Sequence, residues 1–361
     1  MKTTIILAVA VMIVLLYVRV YQTPGKQPTV YVHQVAQHSL AIYHSENLYI
    51  ERPSEKYRYG SLQLYPIIAT PFFLNYHRQL GPYLSLQEAL EQKKILVTEL
   101  TGKVDQRIAP SARGEQDQTL DEADVNTLFV ENISSDTIII LGGEVVRGGK
   151  QDRMIAEDFM ILPHSGKLDI EVYCVEHGRW AAADATADFE MAMDVAPHKV
   201  RRAAKAEAAQ QEVWEKVADL NNDLEVIAPT DALASGLANG KMKESIQPYK
   251  KQLEKIDWPE NVVGVIAVMG NEIVGLDIFA QHQLFIKYYS SLLSSYCSDA
   301  YALRDNAIKP YSDVQSFLNT LISNEAAFDK HIRENGTQLE HHGYRIHGAV
   351  YGDDVDEDSG R

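Results

Sequence analysis

Residues 128–153 read LFVENISSDTIIILGGEVVRGGKQDR and hold the most informative pattern in the chain. Two runs, Asn126–Glu131 and Thr137–Leu141, are rich in residues that favour strands, and the polar segment NISSD separates them as a turn would. The second run leads into two glycine pairs with charged residues between and after them. Because glycine lets the backbone approach a ligand closely, we expect a ligand beside these pairs.

The rest of the chain carries further strand and helix signals. Lys167–Glu176 alternates apolar and polar residues, and the pair Val262–Met269 and Glu272–Phe279 flanks Gly270-Asn271 as in a hairpin. Further strands are predicted at Ser61–Ala69, with Pro66 marking an edge or bulge, and at Ile95–Leu100. Helices are predicted at Leu84–Gln92, Lys199–Leu220, Gln281–Leu303 and Tyr311–Arg333. Strands and helices do not alternate strictly, so we predict an α+β fold with a mixed or antiparallel β-rich core and long helices in the second half.

The N-terminus predicts a membrane anchor. Thr3–Val18 carries no charge, is flanked by Lys2 and Arg19, and would form a helix of roughly 24 Å. No small-residue cleavage site follows it, as a cleaved signal peptide would require. We therefore expect an N-terminal transmembrane helix that acts as an uncleaved signal anchor. The expected location is single-pass in the membrane, with the bulk of the protein on the extracytoplasmic side.

Composition narrows the classes of partner. The chain has 361 residues, and its 34 Lys and Arg against 50 Asp and Glu give a net charge of −16. A surface this acidic repels phosphate backbones, which argues against nucleic acid as a partner. The two cysteines, Cys174 and Cys297, have no metal-type spacing, and no cofactor motif is present, so neither a metal nor a cofactor is expected.

The expected division of the chain follows from these patterns. Residues 1–21 form the anchor and 22–59 a linker and lead-in. Residues 60–305 form the α+β core domain, and 306–361 hold a C-terminal helix and an acidic tail.

The candidate site combines the glycine-rich segment with CVEHGRW at 174–180. Glu144 leaves an apolar strand, and Glu176 continues the inward face of another, so both carboxylates need partners. Arg153 and Arg179 are the candidate partners, since a planar guanidinium serves a carboxylate and can still donate to a ligand. We predict Glu144 and Glu176 as acid and base. The predicted ligand-binding residues are Arg153, Arg179, Gly148, Gly149, Gln151 and His177.

Other interpretations of these residues remain open. The same Glu and Arg side chains fit a buried network that only fixes how the strands meet. The chain would then be a non-catalytic envelope protein or a partner-binding module. The residue types suit both an enzyme and a binding protein. The glycine segment lacks the Lys and Ser/Thr of a P-loop, so nucleotide binding of that kind is not expected.

The order of several segments resembles a known family. They include SLQEALEQ (85–92), the 128–153 stretch, IEVYCVEHGRW (170–180), VWEKV (213–217) and VVGVIAVMGNEIVGLDIF (262–279). They resemble the ARG-and-rhodanese/phosphatase-superfamily-associated protein domain, an uncharacterised bacterial family, over roughly residues 60–305.

The resemblance implies a functional context. The family is named after gene neighbours that include ADP-ribosylglycohydrolases, which implies a small anionic ligand derived from ADP-ribose or NAD. The motif positions matched are Glu144, Gly148, Gly149, Gln151, Arg153, Cys174, Glu176, Gly178, Arg179 and Trp180. Asp152 and His177 depart from the Asn and Gln expected at those positions, and both change the charge or titration beside the site.

Overall fold

A computed structural model describes residues 42–99, 126–149, 151–176, 189–207, 209–223, 225, 232–238, 240–303 and 307–352. All of them fall within one compact unit. Within these ranges no helix is both long enough and apolar enough to cross a bilayer. The predicted anchor at 1–21 and the acidic tail lie outside the described residues, as do His177, Gly178, Arg179 and Trp180.

The strands are numbered in chain order. They are β1 (Leu48–Ile50), β2 (Arg58–Tyr59), β3 (Leu62–Ala69), β4 (Tyr83–Ser85), β5 (Ile95–Glu99), β6 (Thr127–Asn132), β7 (Thr137–Ile140), β8 (Glu144–Arg147), β9 (Arg153–Ile155), β10 (Phe159–Ile161), β11 (Gly166–Cys174), β12 (Glu190–Val195), β13 (Val262–Met269), β14 (Glu272–Phe279), β15 (Gly336–His341) and β16 (Tyr344–Tyr351).

The helices are numbered in the same way. They are α1 (Pro71–Tyr76), α2 (Leu86–Glu91), α3 (His198–Glu207), α4 (Gln210–Asp223), α5 (Leu233–Leu237), α6 (Gly240–Leu253), α7 (His282–Leu303), α8 (Tyr311–Leu321) and α9 (Glu325–Asn335). A short 3₁₀ helix covers Glu55–Tyr57.

The largest sheet has the order β1-β3-β13-β14-β16-β15, with β2 paired to β3. Every residue of β13 is buried, because helices cover both faces of this sheet. One apolar cluster joins Val265 to Phe285 of α7, and a second joins Val268 to Phe317 of α8. The sheet takes strands from both sides of residues 60–305, since β1 precedes that range and β15 and β16 follow it.

Among the described residues there are two smaller sheets, with the orders β10-β7-β4 and β12-β8-β9-β11-β6-β5. Neighbouring strands are antiparallel in all three sheets except for the parallel pair β4 and β7. The predicted α+β class with a mixed, largely antiparallel core is therefore confirmed. The predicted strands around NISSD both form, but β6 and β7 enter different sheets.

Three sequence predictions need correction. The predicted helix 311–333 is two helices, because Asn324 caps α9 by accepting from the Ala327 N–H at 2.9 Å. The predicted helix 199–220 is also two, and Gln210 at the start of α4 hydrogen bonds both the N–H and C=O of Cys174 at 2.8 Å. Pro66 does not make β3 an edge strand: β1 pairs only with residues 67–69 and β2 only with 62–63, so Pro66 needs no N–H on that side.

Candidate functional site

The register of the six-stranded sheet sets the geometry of the predicted site. Arg153 in β9 pairs with Val146 in β8 on one side and with Cys174 in β11 on the other. Directly opposed residues in antiparallel strands point to the same face. Arg153 therefore shares the face on which Val146 and Val172 enter an apolar cluster, and only 2% of Arg153 is exposed.

Arg153 is held by two side chains. One guanidinium nitrogen, Nη1, donates to Gln151 Oε1 at 3.2 Å, and Nη2 donates to Glu99 Oε1 at 3.3 Å. Glu99 ends β5 and was missed by the sequence prediction, although it continues the inward face of Ile95 and Val97. We call Glu99, Gln151, Arg153, Cys174 and Glu176 the Arg153 cluster.

Glu176 closes the cluster at the end of β11. Its Oε2 accepts from the Asp152 N–H at 3.1 Å, and only 5% of the residue is exposed. The Asp152 carboxylate is engaged separately, because Arg147 donates to both of its oxygens at 3.2 and 3.1 Å. The hydrogen bonds that Arg147 donates to Asp152 raise the pKa of Arg147, and the nearby charge of Glu176 adds to the effect. Asp152, which stands where the family pattern predicts Asn, therefore forms an ion pair with Arg147.

Glu144 lies at the other end of the same face. It is 3% exposed, and its Oε2 accepts from the Leu141 N–H at 2.7 Å. Glu144 lies two residues before Val146 in β8, and Glu176 lies two residues after Cys174. Because β8 and β11 run in the same direction on either side of β9, the two carboxylates lie on opposite sides of Arg153. They are separated by roughly 13 Å along the strands. The register therefore gives no support to an acid and base pair made of these two carboxylates.

The glycines of the second pair have protein side chains where a ligand was expected. A Cβ on Gly148 would lie 2.7 Å from the Phe189 ring, and one on Gly149 would lie 2.2 Å from Glu99 Cδ. Gly149 also has a φ of +53°, which L side chains rarely adopt. In this structure protein side chains take the space beside both glycines, and ligand binding at these positions stays a prediction. Both glycines let Phe189 and Glu99 pack against the backbone.

Gly149→Ala is expected to destabilise the domain more than Gly166→Ala does. Both positions have positive φ, so both changes incur about 1–2 kcal/mol of backbone strain. Only the Cβ at 149 displaces Glu99 from Arg153, since nothing lies within 4 Å of a Cβ at 166. Urea denaturation of the two variants would measure the difference. Equal losses would show that the Glu99 carboxylate is not held by this packing.

Gln151 and Cys174 complete the chemistry of the cluster. Gln151 is fully buried, and within the described part of the chain its Nε2 has no hydrogen-bond partner. Burial raises the pKa of the Cys174 thiol, while Arg153 lowers it and Glu99 raises it further. A thiol with a raised pKa is a poor nucleophile at neutral pH, so the cluster favours binding over covalent catalysis at Cys174.

A second buried group of charges lies where the largest sheet meets α3 and α7. His347 Nδ1 is 2.7 Å from Asp158 Oδ2, and His347 Nε2 is 3.4 Å from Asp277 Oδ1. Arg201 Nη1 lies 3.8 Å from the same Asp277 oxygen, and the Tyr296 hydroxyl donates to Asp277 Oδ2. We call these five residues the central network. Two cations there face two anions, and each of the four is at least 92% buried.

The first glycine pair of the motif serves this network. The Gly142 N–H donates to Asp158 Oδ1 at 2.8 Å. A Cβ on Gly143 would lie 2.3 Å from Arg201 Cδ. The motif thus links two places: its first glycines pack on the central network and its second glycines on the Arg153 cluster.

The network predicts how stability depends on pH above neutrality. Burial alone would lower the pKa of His347, but Asp158 and Asp277 together raise it from 6.5 to about 9. The native state therefore holds a proton that the unfolded chain releases above pH 6.5. The free energy of unfolding should fall between pH 6.5 and 9, by an amount on the order of 3 kcal/mol.

The pKa of His77 gives the free energy of unfolding the opposite dependence on pH below neutrality. Burial lowers its pKa from 6.5 to about 4, so the unfolded chain takes up a proton that the native state refuses. Stability should therefore fall as the pH drops from 6.5 towards 4. Urea denaturation across pH 4–9 would measure both arms, and His347→Gln should flatten the alkaline arm only. An alkaline arm unchanged in that variant would contradict the assignment.

No metal centre is formed by the described residues: they contain no group of three or more His, Cys, Asp or Glu side chains arranged to hold an ion. Cys174 and Cys297 are both buried, and neither forms a disulfide bond.

The fold and the motif define an α+β domain organised around two buried groups of charges. Residues 51–355 match the family described as the ARG and Rhodanese-Phosphatase-superfamily-associated Protein domain. The chain belongs to this family. Comparison with curated proteins found no significant match, and comparison with solved structures found none either.

Proposed function

We propose that the domain binds a small anionic ligand, derived from ADP-ribose or NAD, at the Arg153 cluster. The observation that carries the proposal is the buried Gln151 amide, whose Nε2 has no partner among the described residues while its Oε1 holds Arg153. A buried donor without a partner costs about 1–3 kcal/mol, which a ligand oxygen would recover. The amide and the guanidinium together supply the donors that a phosphate or carboxylate requires.

The contact of Glu99 with Arg153 is a second argument for ligand binding at the Arg153 cluster. The Glu99 carboxylate contacts the Arg153 guanidinium as an anionic ligand group would, and 15% of its side chain is exposed against 2% for Arg153. We propose that a ligand anion takes the place of Glu99 on Arg153. The role of Glu176 in this scheme is to orient the segment 151–153 through the Asp152 N–H. Turnover of the ligand would be a further step beyond binding.

A second candidate function has its own support. Arg153 and Glu176 have partners within the protein, and Phe189 and Glu99 occupy the space beside the glycines. These contacts favour a domain whose motif only maintains the fold. Such a chain would act as an envelope protein or as a partner-binding module.

A thermal-shift screen of the full-length chain in mild detergent separates these functions. ADP-ribose, NAD, AMP and ribose 5-phosphate would each be added in excess. A ligand at a hundredfold excess over Kd stabilises the native state by about 2.7 kcal/mol. A shift with any of the four supports the ligand-binding function, and no shift with all four supports the structural alternative.

We also propose that residues 1–21 anchor the protein in a membrane, with the domain on the extracytoplasmic side. The uncharged run Thr3–Val18 supports this. Removing residues 1–21 should move the protein from the membrane fraction to the soluble fraction with its folding transition unchanged. Fractionation that finds the full-length chain in the soluble fraction, or a mature N-terminus after Val18, would refute the anchor.

A further inference from the structure

A cavity of about 430 Å³ lies at the helix pair α3 and α4. Small-molecule sites commonly span roughly 300–1,000 Å³, so the cavity is large enough for a metabolite. Eight of its nine lining residues are polar or charged. None of the nine belongs to the Arg153 cluster or to the central network.

Three cations from two helices line this cavity: Lys199 and Arg202 from α3 and Lys216 from α4. Arg202 packs against the backbone at Gly352, where a Cβ would lie 2.8 Å from its Nη1. The cavity also holds three carboxylates, so its charges balance, but the three cations can still be grouped around one negatively charged group of a ligand. A phosphate group fits, since it carries about −1.5 to −2 charges at pH 7 and accepts through three oxygens.

The three acidic residues of the cavity are Asp219, Asp223 and Glu272, and the first two form weak pairs with two of these cations. Lys199 Nζ lies 3.7 Å from Asp223 Oδ2, and Lys216 Nζ lies 3.1 Å from Asp219 Oδ2. The four side chains are between 35% and 63% exposed. Exposed pairs of this kind contribute about 0–1 kcal/mol, so a phosphate can displace the carboxylates at little cost. The displaced carboxylates accept hydrogen bonds only, which suits a ligand body that carries hydroxyl groups.

His198 gives the cavity one fixed wall. The residue is 5% exposed, its backbone N–H donates to Asp299 Oδ2 at 2.9 Å, and its Nδ1 lies 3.3 Å from the same oxygen. Asp299 is completely buried, so the imidazole is held from behind while the Lys and Arg side chains can adapt. A cavity with one buried polar wall and partly exposed charged walls is suited to a polar ligand.

We infer that the cavity at α3 and α4 is a binding site for a hydroxylated organic phosphate, such as a sugar phosphate. Lys199, Arg202 and Lys216 contact the phosphate, and Asp219 and Asp223 accept from the hydroxyl groups. This site is separate from the Arg153 cluster and does not depend on the function proposed for that cluster.

Isothermal titration of the full-length protein in detergent, at fixed ionic strength, tests the inference. The probes are glucose 6-phosphate, inorganic phosphate and glucose. We expect glucose 6-phosphate to bind most tightly, inorganic phosphate more weakly and glucose not at all. Arg202→Gln and Lys216→Gln should each weaken glucose 6-phosphate binding about tenfold, the equivalent of about 1.4 kcal/mol.

Two controls make the result decisive. Lys251→Gln removes an exposed lysine that does not line the cavity, and it should leave the affinity unchanged. Lys255→Gln removes a second exposed lysine outside the cavity and should also leave it unchanged. Three results would overturn the inference: no binding of either phosphate at about 10 mM, equal affinity for the two phosphates, or an equal loss in the Lys251→Gln and Arg202→Gln variants.

Discussion

Asp277→Asn is expected to lower the free energy of unfolding by about 3–5 kcal/mol, because it removes one charge from a buried ion pair. Asp277 is fully buried, and its carboxylate faces Arg201 at 3.8 Å and His347 at 3.4 Å. Burial alone would raise the pKa of Asp277, but Arg201, His347 and Tyr296 lower it below its usual range. The carboxylate is therefore ionised at neutral pH, and asparagine keeps its shape without its charge. Urea denaturation at pH 7 measures the loss.

Asp223→Asn is the matched control for this change. Its carboxylate pairs with Lys199 at 3.7 Å, but 48% of its side chain is exposed. Exposed pairs contribute about 0–1 kcal/mol, so the control should lose little stability. Equal effects in the two variants would mean that the central network does not stabilise the fold through its charges.

Glu99→Gln is expected to change stability and ligand affinity in opposite directions. Glu99 is the anionic partner of Arg153, which is 2% exposed, so losing its charge should reduce stability by about 2–4 kcal/mol. If a ligand anion replaces Glu99 on Arg153, the variant removes that competition. Affinity for ADP-ribose should then rise about tenfold or more, the equivalent of about 1.4 kcal/mol.

Denaturation and calorimetric titration of the same Glu99→Gln preparation give both values. Glu91→Gln is a suitable control, since Glu91 is an exposed residue at the end of α2. A loss of stability with no binding of ADP-ribose by either protein would assign Glu99 and Arg153 to the fold alone.

Local patterns predicted the elements whose signals lie within one stretch of chain. The hairpin of β13 and β14 follows from two apolar runs around Gly270-Asn271, and its turn has Gly270 at a φ of +58°. Helix α7 follows from apolar residues at helical spacing. It begins one residue after the predicted start and ends at the predicted residue. The helix predicted at Leu84–Gln92 forms as α2, and a capping box of Ser85 and Glu88 is present at its start.

The central network could not be predicted in this way. Its members come from five separate segments, and His347 is 189 residues from Asp158 in sequence. The available signal was a polar residue among the apolar residues of each of two strands, Asp277 in EIVGLDIF and His347 in YRIHGAVY. That pattern shows that a charge is buried, but only the pairing of β14 with β16 shows which charge neutralises it.

Only part of the candidate site could be predicted, because some of its members also come from distant segments of the chain. Arg153 and Glu176 lie close together because β9 and β11 are paired, whereas alternation in 167–176 predicted only that Glu176 faces inward. Glu99 is 54 residues from Arg153 in sequence, and no local pattern relates the two. The order of strands in the sheet, which brings β5 to the same face, is set by pairings far apart in the chain.

Calorimetric titration of ADP-ribose into the full-length protein and its Gln151→Leu variant tests the proposed function most directly. Leucine removes the Nε2 donor that has no partner among the described residues, and with it the Oε1 acceptor that holds Arg153, and leaves a side chain of similar size. We expect binding by the wild type, at least tenfold weaker binding by the variant, and a fall in unfolding free energy of about 1–3 kcal/mol from the lost bond to Arg153. Equal binding by the two proteins, or no binding by the wild type, would contradict the proposed function.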